Sequence, residues 1–225
     1  MALIKGHWQL LLLTAAVFAF WQTPVVVPLK ILIVFFHEAS HAIATVLTGG
    51  EVISLSISAD QGGAVWSRGG NRFLTLTAGY LGSLLIGVGL LIAATRTKAD
   101  RAIMAGCGII MLIIAALYVR DSFALSFVIG AGIVMLAMAR FLGHAANDMV
   151  LRVIGLSSMI YVPFDIFSDT IARFGLRSDA RMLAEEFGGT TMIWGGLWLM
   201  LSLIVIGCCL RYGLGRRSNL TMRRK

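Results

Sequence analysis

Long apolar runs separated by short polar segments make up most of the chain. A hydrocarbon core of roughly 30 Å is crossed by about 20 helical residues. Pro24 and Pro28 interrupt the pattern between the first two runs, so those two could form a single crossing. The pattern therefore predicts an all-α polytopic membrane protein with about seven transmembrane helices, or six. The apolar runs cover about 8–26, 29–48, 73–95, 102–119, 123–142, 149–168 and 192–211.

One segment, residues 51–70, lacks helical periodicity. Apolar residues alternate with serines from Ile53 to Ser58, and Asp60-Gln61-Gly62-Gly63 is typical of a turn. We expect a β-hairpin at the membrane surface whose return strand includes Val65. A two-stranded hairpin is marginally stable alone, so it should pack on the helices and leave an edge that can accept another strand.

Composition supports the membrane assignment and limits the classes of partner. The 225 residues are 58% hydrophobic and 13% charged, with a mean hydropathy of +0.88, which leaves no room for a soluble domain. We expect residues 1–225 to form a single integral-membrane domain. The positive charge concentrates in residues 212–225 and is typical of a cytoplasmic tail beside anionic lipid, not of nucleic-acid binding. This orientation predicts an N-terminus on the opposite face.

The second apolar run, "ILIVFFHEASHAIATVL", contains three ionisable residues where each is costly. His37, Glu38 and His41 form the pattern H-E-x-x-H. Positions i and i+4 of a helix share a face, so both imidazoles can bind one metal ion while Glu38 lies beside a metal-bound water. Two imidazoles and one carboxylate, with a fourth position open, are the ligand set of a hydrolytic zinc ion.

A third ligand must come from elsewhere in the chain. Asp165 lies between Phe164 and Ile166, where a lone carboxylate is expensive, and we choose it as the ligand. Asp169, one helical turn later, is either its hydrogen-bonded partner or the alternative ligand. Lower-ranked candidates are His144, Asn147 and Asp148, in a loop expected on the opposite side, and Asp179, which is interpreted as a capping or first-turn acid of an interfacial helix.

These residues resemble the site-2 protease family of intramembrane zinc metalloproteases. The resemblance rests on the intramembrane H-E-x-x-H, the hairpin after it, the stretch Ala78–Gly82 and a later aspartate. In detail, the sequence is similar to the peptidase M50B-like branch of that family. It implies zinc bound by His37 and His41, Glu38 as general base and a later aspartate as ligand, in a core of about residues 29–170. The family's Leu-Asp-Gly is here Phe-Asp-Ile, which leaves Asp165 and Asp169 both open.

The expected function is zinc-dependent cleavage of peptide bonds in or near transmembrane segments of membrane-protein substrates. An unwound substrate segment would pair with the hairpin and contact side chains of both strands. The expected location is a bacterial inner membrane. One alternative is a catalytically silent assembly or binding factor that keeps the metal site, and a less favoured one is a metal or proton transporter. The hairpin residues expected to contact substrate are Ile53, Leu55, Ile57 and Val65.

Overall fold

The computed structural model describes residues 2–173, 175–215 and 217–219; the side chains of residues 2–4 lie outside that description. Arg216 and residues 220–225, half of the predicted basic tail, also lie outside it. The described chain forms eight α-helices and one β-hairpin. In chain order these elements are α1 (Ala2–Phe20), α2 (Val27–Leu47), β1 (Glu51–Ile57), β2 (Gly63–Arg68), α3 (Arg72–Arg96), α4 (Asp100–Tyr118), α5 (Ser122–Phe141), α6 (His144–Phe167), α7 (Asp179–Phe187) and α8 (Thr191–Cys208).

Short irregular helices extend three of these elements. A 3₁₀ turn, Pro24–Val26, precedes α2, and π-helical turns, Ser168–Ala172 and Cys209–Gly213, follow α6 and α8. Pro24 and Pro28 thus lie at the entrance to α2, where a missing N–H costs least. Four helices, α3, α5, α7 and α8, begin at side-chain caps. Asn71, for example, accepts a hydrogen bond from the backbone of α3, and Asp121 accepts one from α5.

Within the described residues, six helices are long and apolar enough to cross a membrane. The protein is therefore an integral, multi-pass membrane protein with one small antiparallel sheet. The six segments, with their 3₁₀ and π-helical extensions included, are Pro24–Leu47, Arg72–Arg96, Asp100–Tyr118, Ser122–Phe141, His144–Ala172 and Thr191–Gly213.

Contacts between the two ends of the chain indicate whether the number of membrane crossings is even or odd. The Ser218 N–H donates to the carbonyl of Gly6 over 3.0 Å, and the Asn219 amide donates to the carbonyl of Lys5 over 2.8 Å. An odd number of crossings would put these residues on opposite faces. The expected N-terminus on the face opposite the tail is therefore wrong, and six crossings, the lower of the two predicted counts, agree with the contacts.

The first helix, α1, is not one of the six crossing helices, and it packs against α6. It bends at His7, where the backbone leaves the helical region, and the His7 ring is bonded to the Ser218 hydroxyl over 2.7 Å. At its other end Trp21 packs on Tyr161 and Phe164, with ring centroids 6.0 and 6.1 Å apart. Because α1 begins beside the C-terminal segment and α2 begins again deep in the bundle, the two helices do not form two successive crossings.

Glycines allow close approach between the crossing helices. A Cβ at Gly87 would lie 2.5 Å from Ser158 of α6, and a Cβ at Gly108 of α4 would lie 2.8 Å from the carbonyl of Gly132 in α5. By contrast, Gly89 has nothing within 4 Å. Small residues thus mark the α3–α6 and α4–α5 contacts, as expected for helices packed in a membrane.

The hairpin forms where the sequence predicted it, with one irregularity. β1 and β2 are antiparallel, and the pairing shifts register between Val52 and Ser54, which is a β-bulge at Ile53. The bulge turns Ile53 outward, where it is 58% exposed, while Val52, Leu55 and Ile57 are buried. Strict alternation would have put Ile53, Leu55 and Ile57 on one face of the hairpin, whereas the bulge separates Ile53 from the other two.

Candidate metal centre

Helix α2 brings the two histidines of the H-E-x-x-H pattern together. The rings of His37 and His41 lie one turn apart on the same face, with centroids separated by 4.7 Å. Both rings line a cavity of about 470 Å³ that lies between α2, the hairpin and α7. The local arrangement therefore agrees with the one that the sequence pattern predicts.

Asp179 is the carboxylate that meets both imidazoles. Its Oδ2 lies 2.9 Å from Nε2 of His37 and 3.1 Å from Nε2 of His41. Within the described residues, these three side chains are the group whose ligand atoms are close enough to share a metal ion, all within 4.8 Å of one another. Asp179 is the first residue of α7, and the N-cap of that helix is Ser178, whose hydroxyl accepts from Arg181 N.

Burial and charge act in opposite directions on the Asp179 carboxyl group. Burial raises its pKa, but the neighbouring His41 and His37 outweigh burial and hold the pKa well below the ordinary value for aspartate. The group is therefore a carboxylate at neutral pH, which is the form that binds cations.

The donor set fits a zinc ion. His41 Nδ1 lies 2.7 Å from the carbonyl oxygen of Thr75, and since a carbonyl only accepts, Nδ1 carries the proton and the lone pair of neutral imidazole is on Nε2. That lone pair faces the Asp179 oxygen at 3.1 Å, an arrangement that repels unless a proton or a metal ion lies between. Ligand atoms around tetrahedral zinc are about 3.3 Å apart, close to the observed separations.

Glu38 lies beside the histidines under the turn of the hairpin. It is 5% exposed, and a Cβ at Gly63 would lie 2.6 Å from its Cγ. Gly63 therefore lets the hairpin close over Glu38 while the carboxylate still lines the cavity. This is the position that a general base of a hydrolytic site requires.

The structure does not bring Asp165 to the two imidazoles. Asp165, near the end of α6, lines the same cavity but has Arg173 as its ion-pair partner, at 3.7 Å. Asp169, in the π-helical turn Ser168–Ala172, accepts a hydrogen bond from the Tyr80 hydroxyl and pairs with Arg173 at 2.8 Å. Neither aspartate belongs to the close group, so the choice of Asp165 over Asp179 does not agree with the geometry.

The sequence did contain a signal for Asp179. Residues i and i+4 of a helix share a face, so Asp179 lies on the same face of α7 as Leu183, next to Ala180. Those two apolar side chains are fully buried. An acid on the apolar face of an amphipathic helix is costly unless it is paired, whereas a first-turn acid with only a capping role would face solvent.

The third group of sequence candidates lies at the other end of the bundle. His144 is 3.8 Å from Asp100, Asp148 forms an ion pair with Arg152, and Asn147 donates to backbone carbonyls where α5 ends. These contacts are structural. The low rank given to His144, Asn147 and Asp148 agrees with this placement.

The predicted substrate-contacting residues divide between the core and the cavity. Leu55 and Ile57 are 0% and 2% exposed and belong to the hydrophobic core, and Ile53 faces outward at the bulge. Val65 of β2 is the member of the predicted set that lines the cavity.

The edge of β1 is not free. Leu55 forms a parallel bridge with Val119, and the Ser56 hydroxyl donates to Asp121. Within the described chain no strand pairs with the outer edge of β2, and residues 63–67 of that strand line the cavity. The open edge expected from the sequence is therefore the edge of β2, beside the histidines.

Comparison with known proteins agrees with this arrangement. The profile of the family described as "Peptidase M50B-like" matches residues 10–209, which is most of the chain. The chain belongs to this M50B-like family. Its matched region includes the H-E-x-x-H helix, the hairpin and Asp179, so the family assignment covers every element of the candidate metal centre. No curated protein and no solved structure matches the chain.

Proposed function

We propose that the protein is an intramembrane zinc endopeptidase that hydrolyses peptide bonds in or near the transmembrane segments of other membrane proteins. The observation that carries the proposal is the contact of one buried carboxylate oxygen with both imidazoles of an intramembrane H-E-x-x-H helix. Membership of the M50B-like family supports it. His37, His41 and Asp179 would hold the ion, which replaces Asp165 in the sequence prediction.

Zinc held by these ligands would supply Lewis-acid activation of a carbonyl group and of water. Glu38 would take a proton from water and return it to the leaving amine. The turn above Glu38 excludes bulk water from one side of this carboxylate, since Gly63 lies against it. The backbone N–H and C=O groups of β2 would bind an extended substrate segment, with Val65 and Trp66 beside it.

A helical substrate must unwind before this step, because a helix uses its carbonyls in its own hydrogen bonds. A cavity of about 470 Å³ accommodates a few extended residues, not a folded helix of 10–12 Å diameter. The proposed order is therefore unwinding, pairing with β2, and hydrolysis.

The proposed location is a bacterial inner membrane with the basic tail in the cytoplasm. Because Lys5 lies beside the C-terminal segment, the N-terminal charge adds to the positive charge of that face. The hairpin lies at the opposite end of α2 and α3, so the cavity would open toward the outer face.

The test is cleavage of a co-reconstituted single-span substrate by wild type and by Glu38→Gln, with zinc content measured on both. We expect Glu38→Gln to lose at least about 100-fold in rate, the contribution of a general base, with its zinc retained. Glu51→Gln is the matched control, because Glu51 is exposed and pairs with Arg68, and it should cleave as wild type does.

Other results would favour the alternatives. A wild-type protein that binds zinc but cleaves none of a panel of single-span substrates would support the catalytically silent assembly factor. Zinc flux into liposomes would support the transporter, although within the described residues a single group could bind a metal ion and a transport path usually needs several. Full activity of Glu38→Gln would refute the mechanism.

A further inference from the structure

The two imidazoles of the candidate metal centre are held in different ways. His41 is oriented by the hydrogen bond of its Nδ1 to the carbonyl of Thr75. His37 contacts Asp179 and the His41 ring, and its ring also packs edge-to-face on Tyr80, with ring centroids 5.0 Å apart and planes inclined by 81°. The orientation of His37 therefore depends in part on where the Tyr80 ring lies.

Tyr80 is in turn fixed from the far side of its ring. The ring is 1% exposed, and its hydroxyl donates to Oδ2 of Asp169 over 2.7 Å. Arg173 binds the other carboxylate oxygen of Asp169 at 2.8 Å. Both oxygens of Asp169 are thus used, and the chain of contacts runs from Arg173 through Asp169 and Tyr80 to the His37 ring.

The backbone supports this placement independently. Asp169 lies in the π-helical turn Ser168–Ala172, a local widening that is frequent at functional sites and that changes the direction of side chains relative to a regular helix. The same turn packs closely against α8. A Cβ at Gly195 of α8 would lie 2.6 Å from Cγ2 of Thr170 in the turn. The Asp169 carboxylate is therefore held by a packed element.

We propose that Asp169 and Tyr80 are positioning residues that orient His37 for the cation, with Arg173 holding Asp169. This inference rests on the metal centre of the proposed function but not on proteolysis. Without the Asp169 carboxylate, the buried Tyr80 hydroxyl would lose its acceptor and the ring would shift to find another. His37 would then lose the surface against which it packs. Removal of groups that orient a metal-binding histidine typically weakens the metal by 10–100-fold.

The experiment measures zinc affinity by competition with a chromophoric chelator in detergent, for wild type, Tyr80→Phe, Asp169→Ala and the double variant. We expect each single substitution to weaken zinc by about 10-fold or more. The zinc affinity of the double variant should be no lower than that of the single variant with the lower affinity, because both substitutions remove the same hydrogen bond. Tyr161→Phe is the matched control, since Tyr161 is on α6 and packs on Trp21, and it should bind zinc as wild type does.

A second readout separates orientation from general stability. In the cobalt-substituted protein, the visible d–d bands should change for Tyr80→Phe and Asp169→Ala and stay unchanged for Tyr161→Phe. If Asp169→Ala does not fold, Asp169→Asn replaces it: an amide oxygen can still accept from Tyr80, so this variant should keep more zinc affinity than Tyr80→Phe.

The outcomes are distinct for the two proposals. Zinc affinity and cobalt spectra of Tyr80→Phe equal to those of Tyr161→Phe would overturn the positioning role and leave the metal centre intact. A wild-type protein without zinc would overturn both. Tight zinc binding without cleavage would count against the peptidase alone.

Discussion

Gly79 of α3 faces the proposed ligands, and its replacement by alanine tests the geometry of the whole centre. A Cβ at this position would lie 2.6 Å from Oδ2 of Asp179 and 2.6 Å from Cε1 of His37. Ordinary van der Waals contact begins at 3.4 Å, so each group must retreat by about 0.8 Å, the difference between these distances. Metal sites require ligand distances within about 0.2 Å of their ideal values. We therefore expect Gly79→Ala to weaken zinc by at least about 100-fold.

The assay is the same chelator competition, with folding checked by size-exclusion chromatography and circular dichroism. Gly89→Ala is the matched control, because Gly89 is in the same helix and has nothing within 4 Å. An alanine in a helix interior is favoured over glycine by about 0.5–1 kcal/mol, so both variants should keep α3. A loss of zinc in Gly79→Ala alone would then reflect the displaced ligands.

Equal zinc affinity of the two alanine variants would refute this reasoning. It would mean that the histidine and aspartate groups near α3 are not the ligands, or that α3 moves away at the expense of folding stability and not of zinc affinity. The second explanation is checked by the melting temperature, which should fall in Gly79→Ala if the helices have separated.

Three further predictions, two of them with a comparison variant, test separate parts of the structure. Asp179→Ala should abolish stoichiometric zinc binding, whereas Asp165→Ala should keep it; an equal loss in both would make Asp165 a ligand as well. Gly63→Ala should displace Glu38, the proposed general base, because the new Cβ would lie 2.6 Å from its Cγ, and should lower cleavage by about 100-fold with zinc retained. Gly62→Ala, at the neighbouring position of the turn, should cleave as wild type does, and similar rates in both would remove Gly63 from the mechanism. Leu55→Ala should reduce the free energy of unfolding by about 2–5 kcal/mol in denaturant titration; a loss below about 1 kcal/mol would contradict a core position for this strand.

Much of the fold follows from local patterns in the sequence. Apolar runs of membrane length give the crossing helices, and the alternation before Asp60 gives the hairpin, because both signals depend on neighbouring residues. The number of crossings was ambiguous for the same reason. Pro24 and Pro28 mark a break but do not say whether the chain reverses there, and only the long-range contact of Gly6 with Ser218 decides it.

The candidate site was predictable where its residues are close in sequence. His37, Glu38 and His41 share one helix, so their spacing in the sequence determines how the three side chains lie relative to one another. The third member of the group, Asp179, comes from more than 130 residues later, as the numbers 41 and 179 show, and its place depends on how α7 folds back over the cavity. Burial cost correctly pointed to the region of Asp165, but it could not distinguish a ligand from a carboxylate neutralised by Arg173.

Helix α7 would supply the proposed ligand Asp179 from outside the membrane crossings, and this would couple ion binding to the docking of a surface element. By thermodynamic reciprocity, an ion that prefers the docked helix must stabilise docking by the same factor. The connection at residues 175–178 should therefore resist limited proteolysis when the ion is present and become susceptible when a chelator removes it. Conditions that draw an amphipathic helix away from the bundle, such as a change in the surrounding lipid, would release the ion and abolish the proposed activity without any change inside the bilayer.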